Sequence, residues 1–170
     1  MESNGKELVL ALMGSDSDWD VMKATVETLG EYGINARVHI TSAHRTPERT
    51  KEIIAQAERD GIKVIVAAAG MAAHLAGAVA AATPLPVIGV PLESGGLGGL
   101  DALLSTVQMP PGVPVATMAI GKPGAKNAAH FAAQTLALTD ETIAKSVRDF
   151  REAQKNSVIE KDKKLQTKRS

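Results

Sequence analysis

Two histidines, an arginine and a cluster of serines and aspartates stand in short loops that interrupt apolar runs, and these loops hold the chain's candidate chemistry. The first is Gly14-Ser15-Asp16-Ser17-Asp18, directly after the apolar stretch Leu8–Met13. If a helix starts there, its free backbone N–H groups and the hydroxyls of Ser15 and Ser17 form a site for a phosphate, and Asp18 can accept from ribose hydroxyls. Ordinary helix capping explains the same residue types. The second loop is Thr41-Ser42-Ala43-His44-Arg45-Thr46-Pro47, in which Thr46, Pro47 and Glu48 read as a cap, a first-turn proline and an acid favoured by the helix dipole. Arg45 offers a fork that grips phosphate through two donors, and His44 is the side chain suited to carry a proton near neutral pH. A solvent-exposed loop histidine is the plain alternative.

The third loop, Ala69-Gly70-Met71-Ala72-Ala73-His74-Leu75, is small and apolar apart from His74. It suits close approach to something compact and poorly solvated. His74 either faces substrate or caps a helix through the backbone. The fourth, Ser94–Gly99, has four glycines in six residues; it reads as a lid, as a loop lying against a ligand or neighbour, or as a plain turn. His39 and His130 read as structural or surface residues.

Elements must hold these loops together. Strands are expected at Leu8–Met13, Ala36–Thr41, Val64–Ala69, Val87–Val90 and Val113–Ala119. Between and after them fall helices to about Tyr32, over Thr46–Asp60, His74–Ala82, Leu100–Gln108 and Ala125–Ala137. Strands apolar throughout belong to parallel sheets covered on both faces. The alternation gives an α/β class, a doubly wound five-stranded parallel sheet in three layers, with flavodoxin-like order 2-1-3-4-5. That order brings the first three loops to one carboxyl edge. Residues 1–138 are read as a single domain and 139–170 as a helical extension with a narrow stripe of Ile143, Val147 and Phe150. Residues 151–170 carry seven basic and three acidic side chains. The extension is either a solvated, fraying helix or one that packs on a neighbouring subunit.

Composition narrows the classes. At 170 residues the chain suits one self-sufficient domain, and 44% hydrophobic with 22% charged residues is globular. Nineteen basic residues balance nineteen acidic ones, which disfavours a nucleic-acid coat or an anionic-membrane binder. With no cysteine, thiolate metal sites, disulfides and cysteine nucleophiles are excluded. Only Trp19, Tyr32, Phe131 and Phe150 are aromatic, too few for base-stacking platforms. The polar start MESNGKE and the lack of a long apolar run lead us to expect no secretory leader, no membrane span and a cytoplasmic location. GxGxxG, Walker, HExxH, EF-hand and GxSxG patterns are all missing. The residues alone thus point to a cofactor-independent enzyme on a small phosphorylated substrate, without naming the reaction.

Five segments in order, MGSDSDW (13–19), SAHRTP (42–47), AGMAAHLAG (69–77), PVIGVP (86–91) and LLSTVQMPPGVPVAT (103–117), closely resemble class I N5-carboxyaminoimidazole ribonucleotide mutases, the PurE family of de novo purine biosynthesis. The resemblance runs from about Val9 to Ala137. It implies a flavodoxin-like homo-octamer with active sites at subunit junctions and an exchanged C-terminal helix. It implies conversion of N5-carboxyaminoimidazole ribonucleotide to 4-carboxyaminoimidazole ribonucleotide (CAIR) without metal, biotin or ATP. By resemblance, Ser15 and Arg45 bind the 5′-phosphate with Ser17 and Ser42 assisting, Asp18 holds the ribose, and His44 carries the proton. The Gly70–Leu75 loop, with Gly70, Ala73, His74 and Leu75 as its substrate-side residues, would then confine CO2 in a dry pocket. The chain departs from the family pattern at Ala76, where proline is usual, at Ala102, where serine is usual, and in the glycine richness of 94–99. A class II carboxylase taking aminoimidazole ribonucleotide and CO2, commonly with lysine at the Arg45 position, is the nearest alternative. A non-catalytic phosphometabolite- or flavin-binding module is the other, though the scarcity of aromatics disfavours flavin.

Overall fold

A computed structural model describes residues 7–169. Residues 1–6, which carry most of the no-leader reading, lie outside the described residues. Five strands, β1 (Glu7–Met13), β2 (Asn35–Ile40), β3 (Val64–Gly70), β4 (Val87–Leu92) and β5 (Ala116–Thr117), form one sheet in the order β2-β1-β3-β4-β5. Every pairing is parallel. This is the expected flavodoxin-like α/β sheet.

Side-chain alternation explains why β1 and β3 are apolar at every step. Val9, Ala11, Met13, Val64, Val66 and Ala68 enter one core with α1 (Trp19–Glu31), α5 (Gly121–Leu136) and the start of α6 (Glu141–Arg169). Leu10, Leu12, Ile65 and Ala67 enter the other with α2 (Pro47–Arg59) and α3 (Leu75–Ala80). A sheet buried on both faces has no polar side to alternate with. On the first face α5 presents Gly124, Ala125, Ala128, Ala129, Ala132 and Ala133, all buried, so its backbone lies close to α1. The Thr25 hydroxyl, fully buried, donates to the Ala125 carbonyl across that seam at 2.8 Å. On the opposite face α4 (Leu100–Val107) packs on β4, where Gly89 lies against the Thr106 and Val115 side chains.

Several boundaries shift from expectation. The fifth strand is two residues long, not the seven of Val113–Ala119, because Pro114 has no N–H to donate and the segment before it turns, Val113 N–H bonding Pro110 O at 3.2 Å. Helix α5 starts at Gly121, four residues early, with Pro123 in its first turn where a missing N–H is harmless. Helix α3 stops at Ala80, ahead of Thr83-Pro84. Gly33 and Gly61, at φ +72° and +86°, follow α1 and α2 and take the left-handed conformation that glycine tolerates.

Along α6 the expected stripe is real: Ile143 is buried and Val147 and Phe150 pack on the same core. His130 is structural, its Nδ1 2.7 Å from the Tyr32 hydroxyl and its ring 4.6 Å from that of Phe150, joining α5, the end of α1 and α6. Burial lowers its pKa. From Arg151 to Lys168 every residue is exposed, Val158, Ile159 and Leu165 among them. Among the described residues, no helix is long and apolar enough to cross a membrane.

Candidate active site

The carboxyl ends of β1, β2 and β3 open into one cleft of about 480 Å³. Ser15, Ser17, Asp18, Ser42, His44, Arg45, Gly70, His74 and Leu75, all singled out from sequence, line it together. Ala73 does not: it is 1% exposed and turned into the core, while its neighbours Met71 and Ala72 reach the cleft.

The first loop closes on itself as a capping box over a short 3-10 turn, Asp16–Asp18, that leads into α1. The Ser15 N–H donates to Asp18 Oδ2 at 3.0 Å, and the Ser17 hydroxyl donates to Ser15 Oγ at 3.0 Å. Capping is thus what the loop does here: the Ser15 and Ser17 amides are taken up by the Asp18 and Asp16 carboxylates, and the two serine side chains stand at the cleft. Burial raises the Asp18 carboxyl above its usual pKa, opposed by the Ser15 and Gly14 amides and assisted by repulsion from Asp16. The fold thus holds this proton more tightly than the unfolded chain does. Asp18 destabilises the protein once pH rises through the ordinary carboxylate value of 3.8, and the penalty is complete above its raised folded value. Asp18→Asn is expected to melt higher than wild type at neutral pH while losing affinity for a ribose. Thermal scans at falling pH should bring the two curves together; a gap that persisted in acid would assign the effect to altered hydrogen bonds.

The second loop is anchored to the first. Thr41 N–H bonds Met13 O at 2.9 Å, and Arg45 Nη2 donates to Gly14 O at 3.0 Å, which sets the guanidinium beside the serine loop. Thr46 does occupy the cap position of α2, but its hydroxyl caps no helix donor. It accepts the Ser42 N–H at 3.0 Å instead, tightening the loop that presents Ser42, His44 and Arg45.

His74 takes neither expected role alone. It stands at the start of α3 without a side-chain cap, and its Nδ1 lies 2.7 Å from His44 Nε2, ring centroids 4.8 Å apart. One imidazole supplies the hydrogen and the other the lone pair, so a proton resides between two rings at the cleft wall. Ser94 and Met71, in loops the sequence marked but not singled out there as site residues, also line the cleft. Ser94, just after β4, packs so close to Gly70 that a Cβ there would meet Ser94 Cβ at 2.7 Å. Met71 is the one non-glycine with positive φ among the described residues, at +56°, a conformation costing a side chain about 1–2 kcal/mol. Of the glycine loop only Ser94 lines the cleft; Gly95–Gly99 do not. Among the described residues, no group of three or more His, Asp or Glu is placed to hold a metal.

A family model described as AIR carboxylase matches residues 8–157. The chain belongs to that family. Proteins named N5-carboxyaminoimidazole ribonucleotide mutase are among its relatives. That of Brucella melitensis is 52% identical over 153 residues, covering 90% of this chain and 94% of its own. The Bacillus subtilis protein is 51% identical over 158 residues, covering 93% and 98%. The Escherichia coli protein is 46% identical over 157 residues, covering 92% and 93%. The crystal structure of Treponema denticola PurE superposes with a TM-score of 0.86 at 33% identity, over 94% of this chain and 99% of that one. The AIR carboxylase match takes in all four cleft loops and stops twelve residues short of the end of α6.

Proposed function

We propose that this AIR carboxylase family member is an N5-carboxyaminoimidazole ribonucleotide mutase of purine biosynthesis, converting that substrate to CAIR. The observation that carries the reading is the placement of His44 in one cleft with Arg45, Ser15, Ser17 and Ser42, in a chain about half identical to proteins of that name. Ser15, Ser17, Ser42 and Arg45 hold the 5′-phosphate, and Asp18 accepts from the ribose hydroxyls. The imidazole base then lies toward His44, His74 and the small apolar loop at 69–72.

His44 donates a proton to the carbamate nitrogen as the C–N bond breaks; the bonding pair stays on nitrogen and neutral CO2 departs. Ring carbon 4 then attacks CO2, and the proton it carried passes back to His44. Protons, electrons and carbon balance without a co-reactant, which suits a cofactor-independent enzyme. His74, bonded to His44, fixes which nitrogen of that ring faces substrate. Acid–base help of this kind typically supplies about 10²–10⁴-fold, with positioning adding more.

Residues 1–138 act as the catalytic domain in this reading, and 139–170 form an extension that packs on a neighbouring subunit of a homo-octamer working in the cytoplasm. The full exposure of α6 beyond Phe150, with Val158, Ile159 and Leu165 on its surface, supports this. Light scattering should return about eight times 17.7 kDa; a monomer would overturn the shared assembly. The activity itself is tested with N5-carboxyaminoimidazole ribonucleotide in one tube and aminoimidazole ribonucleotide with bicarbonate in another. CAIR forming rapidly in the first tube alone is the expected result. Efficient conversion in the second would mean a carboxylase, and silence in both would leave a binding protein.

A further inference from the structure

Two buried threonines stand under the loop that carries His44. Thr41, just past β2, is 2% exposed, and Thr50, near the start of α2, is 3% exposed. Neither lines the cleft. Thr50 begins the buried stripe Thr50, Ile54, Ala57, where an aliphatic side chain would fill the same space with no polar atom to satisfy. Its hydroxyl is therefore there for its bonds. Thr50 Oγ1 donates to the Thr46 carbonyl at 3.1 Å, so the 2.8 Å contact between Thr50 Oγ1 and Thr41 Oγ1 uses the Thr41 hydrogen. Thr46 Oγ1 continues the chain. It lies 3.2 Å from Thr41 Oγ1 and from the Ser42 carbonyl, and it accepts the Ser42 N–H at 3.0 Å.

Three hydroxyls thus run from a strand end to a helix start and close beneath the short span Ser42–Arg45. Within that span Arg45 has supports of its own, its N–H on Ser42 Oγ at 3.2 Å and its Nη2 on Gly14 O at 3.0 Å. The His44 ring has a polar partner only in His74, from another loop, so its place depends on the base of its own turn. We propose that the buried Thr41–Thr50 hydroxyl pair is a positioning device for His44, setting the depth and tilt of its loop for proton transfer. The inference rests on the mutase reading, in which one imidazole protonates the carbamate nitrogen and then takes the proton from ring carbon 4. The two atoms stand in different places, so the ring must hold its position while the substrate changes. A displacement of about 1 Å can slow such a step on the order of 10²-fold.

Thr50→Val keeps the shape and removes both bonds. In the full-length protein at its native assembly mass it should lower kcat for CAIR formation about tenfold and leave KM within about twofold, because Arg45 keeps its tie to Gly14 O. Thr50→Ser retains the hydroxyl and should recover most of that rate. The double variant Thr41→Val/Thr50→Val leaves neither hydroxyl of the pair alone, so its melting temperature should return toward wild type while kcat stays as low as in Thr50→Val. A pair that served stability alone would not give that result. Wild-type kcat in the double variant overturns the proposal, and so does a loss confined to KM. Ring-proton NMR with 13C-labelled histidine reads the same point without turnover: His44 and His74 should shift in the double variant while His130 stays. Unmoved His44 and His74 signals, or a like shift of His130, overturn it. If wild type forms no CAIR the mutase reading has failed, and these ring signals then decide the positioning of His44 by themselves.

Discussion

His44→Asn is expected to bind nucleotide almost normally and to turn over at least about 10²–10⁴-fold more slowly than wild type. Asparagine ends about where the imidazole Nδ1 does, so it removes the far side of the ring and with it the 2.7 Å bond from Nε2 to His74, while the loop backbone keeps its own bonds. The proposed phosphate donors keep their own supports, Arg45 being fixed by its bond to Gly14 O and Ser15 and Ser17 by their capping box. In the proposed mechanism what disappears is the group that accepts and returns a proton, needed twice in each cycle. Steady-state rates with calorimetric nucleotide binding separate the two effects. A variant retaining most of its kcat would assign the proton to another group, and one that lost binding as well would make His44 an anchor for substrate.

The second large effect is on the fold. Gly124→Ala should destabilise the protein by about 3 kcal/mol, roughly 6–12 °C in Tm. A Cβ at Gly124 would lie 2.6 Å from the carbonyl carbon of Ala119 and 3.3 Å from its Cα. These are backbone atoms of the segment joining β5 to α5, so no rotamer change relieves the contact. Either α5 tilts off the sheet or the loop before it moves. Gly30→Ala is the control. That site lies in α1 with nothing within 4 Å of the added atom, and alanine should gain about 0.5–1 kcal/mol there. If both variants melted alike, the close approach of the 119–124 turn would not be a constraint on the fold.

The sheet order and most of the cleft were legible because both depend on residue type in a simple register. Uniformly apolar runs such as Leu8–Met13 mark interior parallel strands, and the order that follows brings the loops after β1, β2 and β3 to one edge. His44, Arg45 and the serines could be placed there before any coordinate was known. What remained hidden depends on backbone direction. Ala73 and Met71 differ by two positions in a loop with no periodicity, so their types do not say which faces the cleft. Met71 as a left-handed residue has no signature at all, since methionine is not a residue that selects positive φ. Ser94 could have been suspected: a glycine at 70, at the end of a strand, asks what comes close to it, and the loop after the neighbouring strand β4 is the answer. The His44–His74 bond required knowing that two loops separated by thirty residues present ring nitrogens to each other. The fifth strand was overdrawn because apolar content counted for more than Pro114, whose missing donor ends the ladder.

Helix α5 meets α1 through Ala125, Ala128, Ala129, Ala132 and Ala133, each fully buried. Alanine has no rotamers to lose, so this seam forms with almost no side-chain entropy given up, and all of its ordering loss is in the backbone. The opposing entropic term grows with temperature, and here it grows from a smaller base than at a seam of leucines or methionines. The α1–α5 contact should therefore be among the last parts of the molecule to exchange its amide hydrogens as the protein is warmed, holding the first cleft loop in place after the cleft's own side chains have begun to move.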